Sequence, residues 1–362
     1  MKKEYILIGG YPDRDKLDSF HAGGQLTATT LLVEYAKEEG IELHIIDTTH
    51  NVFPPPTLKS KIIESKRRIS KLISLLKSKD IEGVIIFSAS GFSFYEKIVM
   101  ALITKMKKSK TLFLIRSGHF VDFSNRSKMI RFLNKKLLKI PTVLGAQGTK
   151  WIDFYKDMGV DTHRIELIPN WIRIDETLKN NHDRERVTFL YAGWIVDKKG
   201  VMELFEVIEE HDDLKPYIFK FAGGGSRLEE LQERKEKNGL DNIEFLGWVD
   251  SKEMGKEYEK CDVFVLPSHA EGFPNVILEA LNHELPVIST NVGGIADSVI
   301  DNHNGFIFEP KDKERLYQAI KSLATSKEMR EEFSKNGKEI LRKRHDFHQN
   351  CRLIFNVFQR NI

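Results

Sequence analysis

The sequence predicts an α/β fold in two domains, each built on a parallel β-sheet. Three observations carry this. Short β-rich apolar runs alternate with amphipathic helical stretches along the 362 residues, the pattern of βαβ units. Glycines recur where a strand run hands over to a helix. The pattern also restarts after a charged stretch, Asp175 to Arg186, at a length for which two domains are expected. The domains are placed at 1–172 and 173–344, with 345–362 as a last helix.

Composition narrows the class. Hydrophobic residues make up 41%, enough for well-formed cores, and no region has the composition of disorder. No apolar run approaches the ~18–20 residues of a membrane helix. The start, MKKEYILIGGYPDRDKLD, turns acidic too soon for a signal peptide. Cys261 and Cys351 sit in apolar contexts and read as buried free thiols, which suggests a reducing, cytosolic setting. The net charge of +3 is unevenly spread: residues 1–170 carry 28 Lys+Arg against 18 Asp+Glu, and the rest 28 against 35. A basic half joined to an acidic half points one half at an anionic partner.

In chain order, Tyr5–Ile8 is a strand, Leu26–Glu39 a helix stopped by Gly40, and Ile41–Ile46 the next strand. Gly23-Gly24 before that helix either lets backbone approach a phosphate or makes an ordinary turn. Asp13-Arg14-Asp15 is the one Asp-x-Asp; its charged surroundings read as solvated surface rather than a Mg²⁺ site. Pro54-Pro55-Pro56 is an extended connector. Leu58–Lys79 is a basic amphipathic helix with Ile62, Ile69, Leu72, Ile73 and Leu76 in one stripe. Gly83–Phe87 and Thr111–Ile115 are strands around a Phe94–Met106 helix. Ser127–Ile140 is a second basic helix, with Ile130, Leu133 and Leu137 on one face, and Thr142–Gly145 is a strand. From Lys97 to Lys150 thirteen basic residues face one acid, Asp122. Nucleic acid, anionic lipid or a phosphate-bearing acceptor would each fit, as would a solvated lysine face. Stacking aromatics are sparse, so no nucleic acid is expected.

The second half repeats the pattern: Val187–Ala192 strand, Gly193–Gly200 loop, Val201–Glu210 helix, Tyr217–Ala222 strand, Gly223–Gly225 turn, Arg227–Asn238 helix, Ile243–Leu246 strand. Asn180–Asp183 reads as an exposed crossing. Cys261–Leu266 is a buried strand, Glu271-Gly272 a turn at its end, Pro274 suits a first helical turn, and Val276–Leu281 continues the helix. Leu285–Thr290 and Gly293-Gly294 give one more strand and loop. Such a loop lies at the carboxyl edge of a sheet, where open α/β folds bind ligands. Glu271 and Glu279 are separated by seven residues, and between them lies a helix start suited to a phosphate. Carboxylates accept hydrogen bonds from vicinal hydroxyls. The order carboxylate, anion hole, carboxylate therefore fits a sugar, a diphosphate and a ribose. Lys313–Ala324 and Met329–Arg344 are further helices.

EGFPNVILEA, followed by LPVIST, VGG and NGFIF, resembles the signature of retaining glycosyltransferases of family four, which have the GT-B fold. The resemblance implies two Rossmann-like doubly wound domains facing a central cleft, with the last helix crossing back to the first domain. It implies that Glu271 meets the donor sugar, Glu279 the ribose, and the Gly272, Phe273, Asn275 and Val276 backbone the sugar and phosphate. It implies a phosphate-neutralising role for Lys199 beside Gly193; Trp194 stands where the family has Arg, so either Lys198 or Arg227 supplies the missing charge or the leaving group is held less tightly. Gly247, Trp248 and Val249 would meet the base, Gly23 and Gly24 the diphosphate, and His119 the donor sugar. Ile165–Asn170 is similar to the family's entry to the linker, with Trp171 in place of Gly. No cofactor and no metal are expected; the donor is a nucleotide-diphosphate sugar, and the acceptor a glycan or lipid-linked glycan. The expectation is a cytoplasmic hexosyltransferase of surface-polysaccharide assembly, peripheral on an anionic membrane. A catalytically inactive GT-B partner subunit and a nucleic-acid-binding protein remain as alternatives.

Overall fold

The structure is a computed structural model that describes residues 3–11, 24–49, 57–180 and 182–360. The Asp13–Asp15 motif, Gly23 and the Pro54–Pro56 connector lie outside those residues. The chain forms two compact units, Met1–Trp171 with Phe347–Ile362, and Ile172–Asp346.

Unit 1 runs β1 (Glu4–Gly9), α1 (Gly24–Glu38), β2 (Glu42–Asp47), α2 (Leu58–Ser78), β3 (Ile81–Ser88), α3 (Phe92–Met106), β4 (Lys110–Ile115), α4 (His119–Asn125), α5 (Lys128–Leu137), β5 (Val143–Ala146), α6 (Thr149–Asp157) and β6 (Ile165–Leu167). Its six strands pair in parallel in the order β2-β1-β3-β4-β5-β6. Because strand side chains alternate in direction, each strand feeds both faces. Tyr5, Leu7, Ile85 and Phe87 join a core with α1, while Ile6, Ile8, Val84 and Ile86 join one with α2, α3 and α6.

Unit 2 runs β7 (Thr188–Ala192), α7 (Val201–Glu210), β8 (Ile218–Ala222), α8 (Leu228–Asn238), β9 (Ile243–Gly247), α9 (Ser251–Glu259), β10 (Val263–Leu266), α10 (Asn275–Asn282), β11 (Val287–Thr290), β12 (Gly305–Phe308), α11 (Lys313–Thr325) and α12 (Lys327–Arg344). Its parallel sheet has the order β12-β11-β10-β7-β8-β9 around a single continuous core.

The last helix, α13 (Phe347–Asn356), belongs to unit 1, where Phe347, Cys351, Ile354 and Phe355 are buried beside α1. Beyond it, Phe358 fills the space over Gly83 of β3: a Cβ at Gly83 would lie 2.1 Å from that ring. Both cysteines are buried free thiols, as expected.

Three expectations are corrected. In the stretch expected as an exposed crossing, Asp183 is exposed but Asn180 and His182 are not. The Asn180 side chain donates to the Cys261 carbonyl at 2.7 Å, and buried His182 lies 2.8 Å from Ser334 Oγ, so these polar side chains anchor the segment inside unit 2. α5 does not bury Leu133: its buried side chain is Asn134, which donates to Ser124 Oγ at 3.0 Å, and Met129, Phe132 and Leu133 face solvent. Lys97, counted with the basic surface, is buried and donates to Ser93 Oγ at 2.8 Å; that burial lowers its pKa to about 8.

Candidate active site

The order of the second sheet reverses at β7, with β8 and β9 on one side and β10, β11 and β12 on the other. Loops leaving β7 and β10 therefore diverge at their carboxyl ends and leave a crevice, the place where open α/β sheets take ligands. Backbone contacts tie the two loops together. The His269 N–H donates to the Lys198 carbonyl at 2.9 Å. Gly200 has φ 65°, and a Cβ there would sit 1.9 Å from the Pro267 carbonyl oxygen, so only glycine permits the approach.

This docking brings Lys199 Nζ to 2.5 Å from Glu271 Oε1, an oxygen that also accepts from Ser268 Oγ at 2.8 Å. Both side chains of the ion pair are mostly shielded from solvent. A second close approach fixes the other side of Glu271. Gly293 has φ 56°, a Cβ there would lie 2.2 Å from the Glu271 carbonyl oxygen, and the Gly294 N–H donates to the Gly272 carbonyl at 2.9 Å. Behind the pair, Tyr191 donates its hydroxyl to the Trp194 carbonyl at 2.7 Å. Burial first, and then the Glu271 charge, push that phenol well above its ordinary pKa.

Gly272 and Phe273 are buried ahead of α10. Pro274 stands at the N-cap, one position before the first turn expected for it, and makes no side-chain cap bond. Asn275 and Val276 open the helix, whose terminus carries partial positive charge. Glu279, in the next turn, accepts from the Tyr258 hydroxyl at 3.1 Å. Burial raises its pKa above the usual carboxylate value, with the tyrosine bond opposing.

Two aromatics stand on the β8–β9 side. Trp194 and Trp248 are 58% and 47% exposed, and their rings meet edge-to-face at 4.6 Å. The Gly223–Gly225 loop runs beneath: a Cβ on Gly224 would lie 2.5 Å from the Trp248 indole nitrogen, and Ile195 N–H donates to the Gly224 carbonyl at 2.9 Å. Gly193 and Gly247 bound this loop, since the Gly193 N–H donates to Ala222 and the Gly223 N–H to Gly247. Val249 packs on the core. Arg227 is committed elsewhere: its guanidinium holds Asp197 at 2.7 and 3.1 Å and Glu230 at 2.6 Å. Of the two cations expected to replace the missing arginine, Lys198 is the exposed one.

In unit 1, Gly24 opens α1, and His119 is exposed as the first residue of α4, after β4. Its neighbour Arg116 stacks between Phe87 and Trp171 at 5.1 and 5.2 Å and donates to Asn170 Oδ1 at 2.8 Å. Burial lowers its pKa to about 10, so it stays cationic at neutral pH; among the described residues no carboxylate pairs with it. Arg116 Nη1, Gln147 Oε1 and Trp171 Nε1 are buried without hydrogen-bond partners among the described residues. The described residues able to gather round a metal ion are Glu4, Glu42 and His44 at the amino ends of β1 and β2, where Lys79 already approaches both acids.

The sequence reading missed Ser268, Tyr258 and Tyr191. Ser268 lies three residues before Glu271 and was within reach of a local reading. Tyr258 lies on α9, a helix that reading did not include, and no spacing ties it to Glu279.

The sequence profile of glycosyl transferases group 1 matches residues 173–340, nearly the whole of unit 2. Unit 2 belongs to that family. Among curated relatives, an uncharacterized glycosyltransferase of Methanocaldococcus jannaschii is 30% identical over 58% of this chain and 66% of its own length. A Campylobacter jejuni α-1,4-N-acetyl-D-galactosaminyltransferase, named for a diphospho-undecaprenol-linked acceptor, is 26% identical over 68% of each chain. The chain thus spans about two thirds of these relatives. Among solved structures, sucrose-phosphate synthase from Thermosynechococcus elongatus superposes with a TM-score of 0.78 at 16% identity, covering 99% of this chain and 98% of that one. Anabaena HepE, in complex with UDP and glucose, gives 0.72 at 13% identity over 99% and 100%. These likenesses establish the GT-B fold.

Proposed function

We propose that the chain is a retaining glycosyltransferase that moves a hexosyl unit from a nucleotide-diphosphate sugar to a glycan or lipid-linked acceptor in surface-polysaccharide assembly. The observation that carries this is the Lys199–Glu271 pair at 2.5 Å, on loops that flank the reversal of strand order and adjoin the start of α10. A donor entering there exchanges one ion pair for two better-matched contacts. Its sugar hydroxyls donate to Glu271, and its diphosphate oxygens accept from Lys199 and the helix N–H groups. Glu279 accepts from the ribose hydroxyls, and the base lies against Gly247–Val249, with the Trp194–Trp248 pair as its aromatic wall.

In the reaction, the bond from the anomeric carbon to the diphosphate breaks and the bond to the acceptor oxygen forms on the same face. The acceptor proton passes to the departing diphosphate oxygen. The chain stabilises the growing negative charge with Lys199 and the α10 dipole. No step calls for a metal. The gross reading agrees with the names of the relatives, one of which is named for a diphospho-polyprenol acceptor.

The test is a thermal-shift screen with UDP, GDP and ADP and their sugars, followed by turnover in the presence of EDTA. Ligand binding to the folded state raises its apparent stability by mass action. A shift with a nucleoside diphosphate and transfer that survives EDTA are expected. A folded chain that neither binds nor turns over any nucleotide sugar would leave it an inactive partner subunit.

A further inference from the structure

Unit 1 wears much of its apolar surface on the outside of one helical layer. Val99, Leu102 and Met106 of α3 and Met129, Phe132 and Leu133 of α5 are all exposed, Met106 by 74% and Met129 by 78%. The α3 residues continue at helical spacing from Tyr95, whose hydroxyl lies 3.4 Å from Asn134 of α5, so the two groups border one another. α5 is unusual for a surface helix: it holds the domain through Asn134 and Leu137 and turns Met129, Phe132 and Leu133 outward. α2 adds exposed Leu58, Ile62 and Ile63 on the same layer.

Cations surround this apolar surface. Lys105, Lys107 and Lys108 close α3, and exposed Lys128, Lys135 and Lys136 lie on α5. Lys136 Nζ sits 4.4 Å over the Phe132 ring, its stem along the apolar surface and its charge at the rim. The stretch 97–150 holds a single acid, Asp122.

From this juxtaposition we infer that the outer face of α3 and α5 docks on an anionic lipid bilayer, with Met129, Phe132 and Leu133 entering the headgroup region and the flanking lysines meeting phosphates. The charge selects the occupant. A second copy of this chain would bring the same cations against themselves. A nucleic acid would satisfy the lysines but leave the methionines and leucines in water, and it would find one ring, Phe132, to stack on. Anionic lipid meets both demands. No helix among the described residues is long and apolar enough to cross a membrane, so the association is one of surface contact. The inference does not depend on the catalytic reading.

The test uses the full chain, co-sedimented with phosphatidylcholine vesicles and with vesicles rich in phosphatidylglycerol. Binding to the anionic vesicles alone is expected, weakening as salt rises. The double variant Phe132→Ser, Leu133→Ser should lower partitioning at least tenfold while leaving circular dichroism unchanged. The pair Lys135→Gln, Lys136→Gln should lower it at low salt and flatten the salt dependence. No binding to anionic vesicles at low salt would overturn the inference, as would equal partitioning of the Phe132/Leu133 variant. So would a wild-type dimer that those serines convert to a monomer, or salt-dependent duplex binding that outcompetes the vesicles.

Discussion

Both sheets are six-stranded and parallel and start from a strand flanked on both sides, yet their carboxyl ends are furnished differently. In unit 2 an acid and a base are held against each other by backbone so close that Gly200 and Gly293 admit no side chain. In unit 1 a buried arginine at the same edge is stacked on aromatics, with no ion pair among the described residues, and the nearby histidine is exposed. One pair is self-neutralised; the other cation has no acid partner among the described residues. The family profile spans the first and not the second. The shared scaffold therefore fixes where a site lies, and the loops fix its chemistry.

The largest expected effect tests whether the units differ in stability as well as chemistry. Phe358→Ala empties the space over Gly83 and should cost ~3–5 kcal/mol, the usual range for a buried phenylalanine. Trp151 and Trp171 report on unit 1 in a background with Trp194→Phe and Trp248→Phe, and the urea midpoint they give should fall. An equal fall in the transition of unit 2 would show that the two halves unfold as one.

Next come Glu271→Ala and Lys199→Ala, each expected to lower turnover at least ~tenfold, about 1.4 kcal/mol of transition-state stabilisation. Because they form one pair, the double variant should lose less than the product of the two. Near-normal turnover in both single variants would remove the catalytic assignment.

The third concerns Lys97, whose pKa falls from 10.5 to about 8 on burial. Below pH 8 both states carry the proton and the folded chain bears the full burial cost. Between 8 and 10.5 the unfolded chain binds a proton that the folded one has released, so stability should rise with pH, by at most ~1.4 kcal/mol per unit. Lys97→Met should raise the unit 1 midpoint at pH 7 and remove that slope.

The smallest effect concerns Glu279. Its raised pKa means that nucleoside diphosphate affinity should begin to fall on acidification at a higher pH than for an ordinary carboxylate. Glu279→Gln should bind several-fold more weakly at neutral pH and lose that dependence, by calorimetry. A pH profile unchanged by the substitution would place the ribose elsewhere.

Unit 2 was the more legible half. Its central strands are apolar runs, and the close backbone approaches at Gly200, Gly223, Gly225 and Gly293 fall on glycines that mark its loops in the sequence. The Glu271–Glu279 spacing was visible for the same reason. Unit 1 was harder. α4 and α6 went unread, because short helices leave little periodicity. The α5 face was read only in part: Leu137 packs on the core but Leu133 is exposed, and the fully buried anchor, Asn134, is polar. Lys97 shows the converse, since nothing in a run of lysines marks the one that folds inward. The partners of Glu279 and Arg116, Tyr258 on α9 and Phe87 on β3 among them, come from distant elements, beyond the reach of local spacing.

Phe358 over Gly83 also dictates an order of events during translation. Unit 2 is complete at Asp346, but unit 1 awaits Phe347 to Phe358 before the face of its sheet with Tyr5 and Leu7 is sealed. At ~5–20 residues per second the ribosome needs on the order of ten to thirty-five seconds to make the intervening segment. Throughout that interval the amino-terminal half of the nascent chain is open on one side, and the later-born half is the first that can finish.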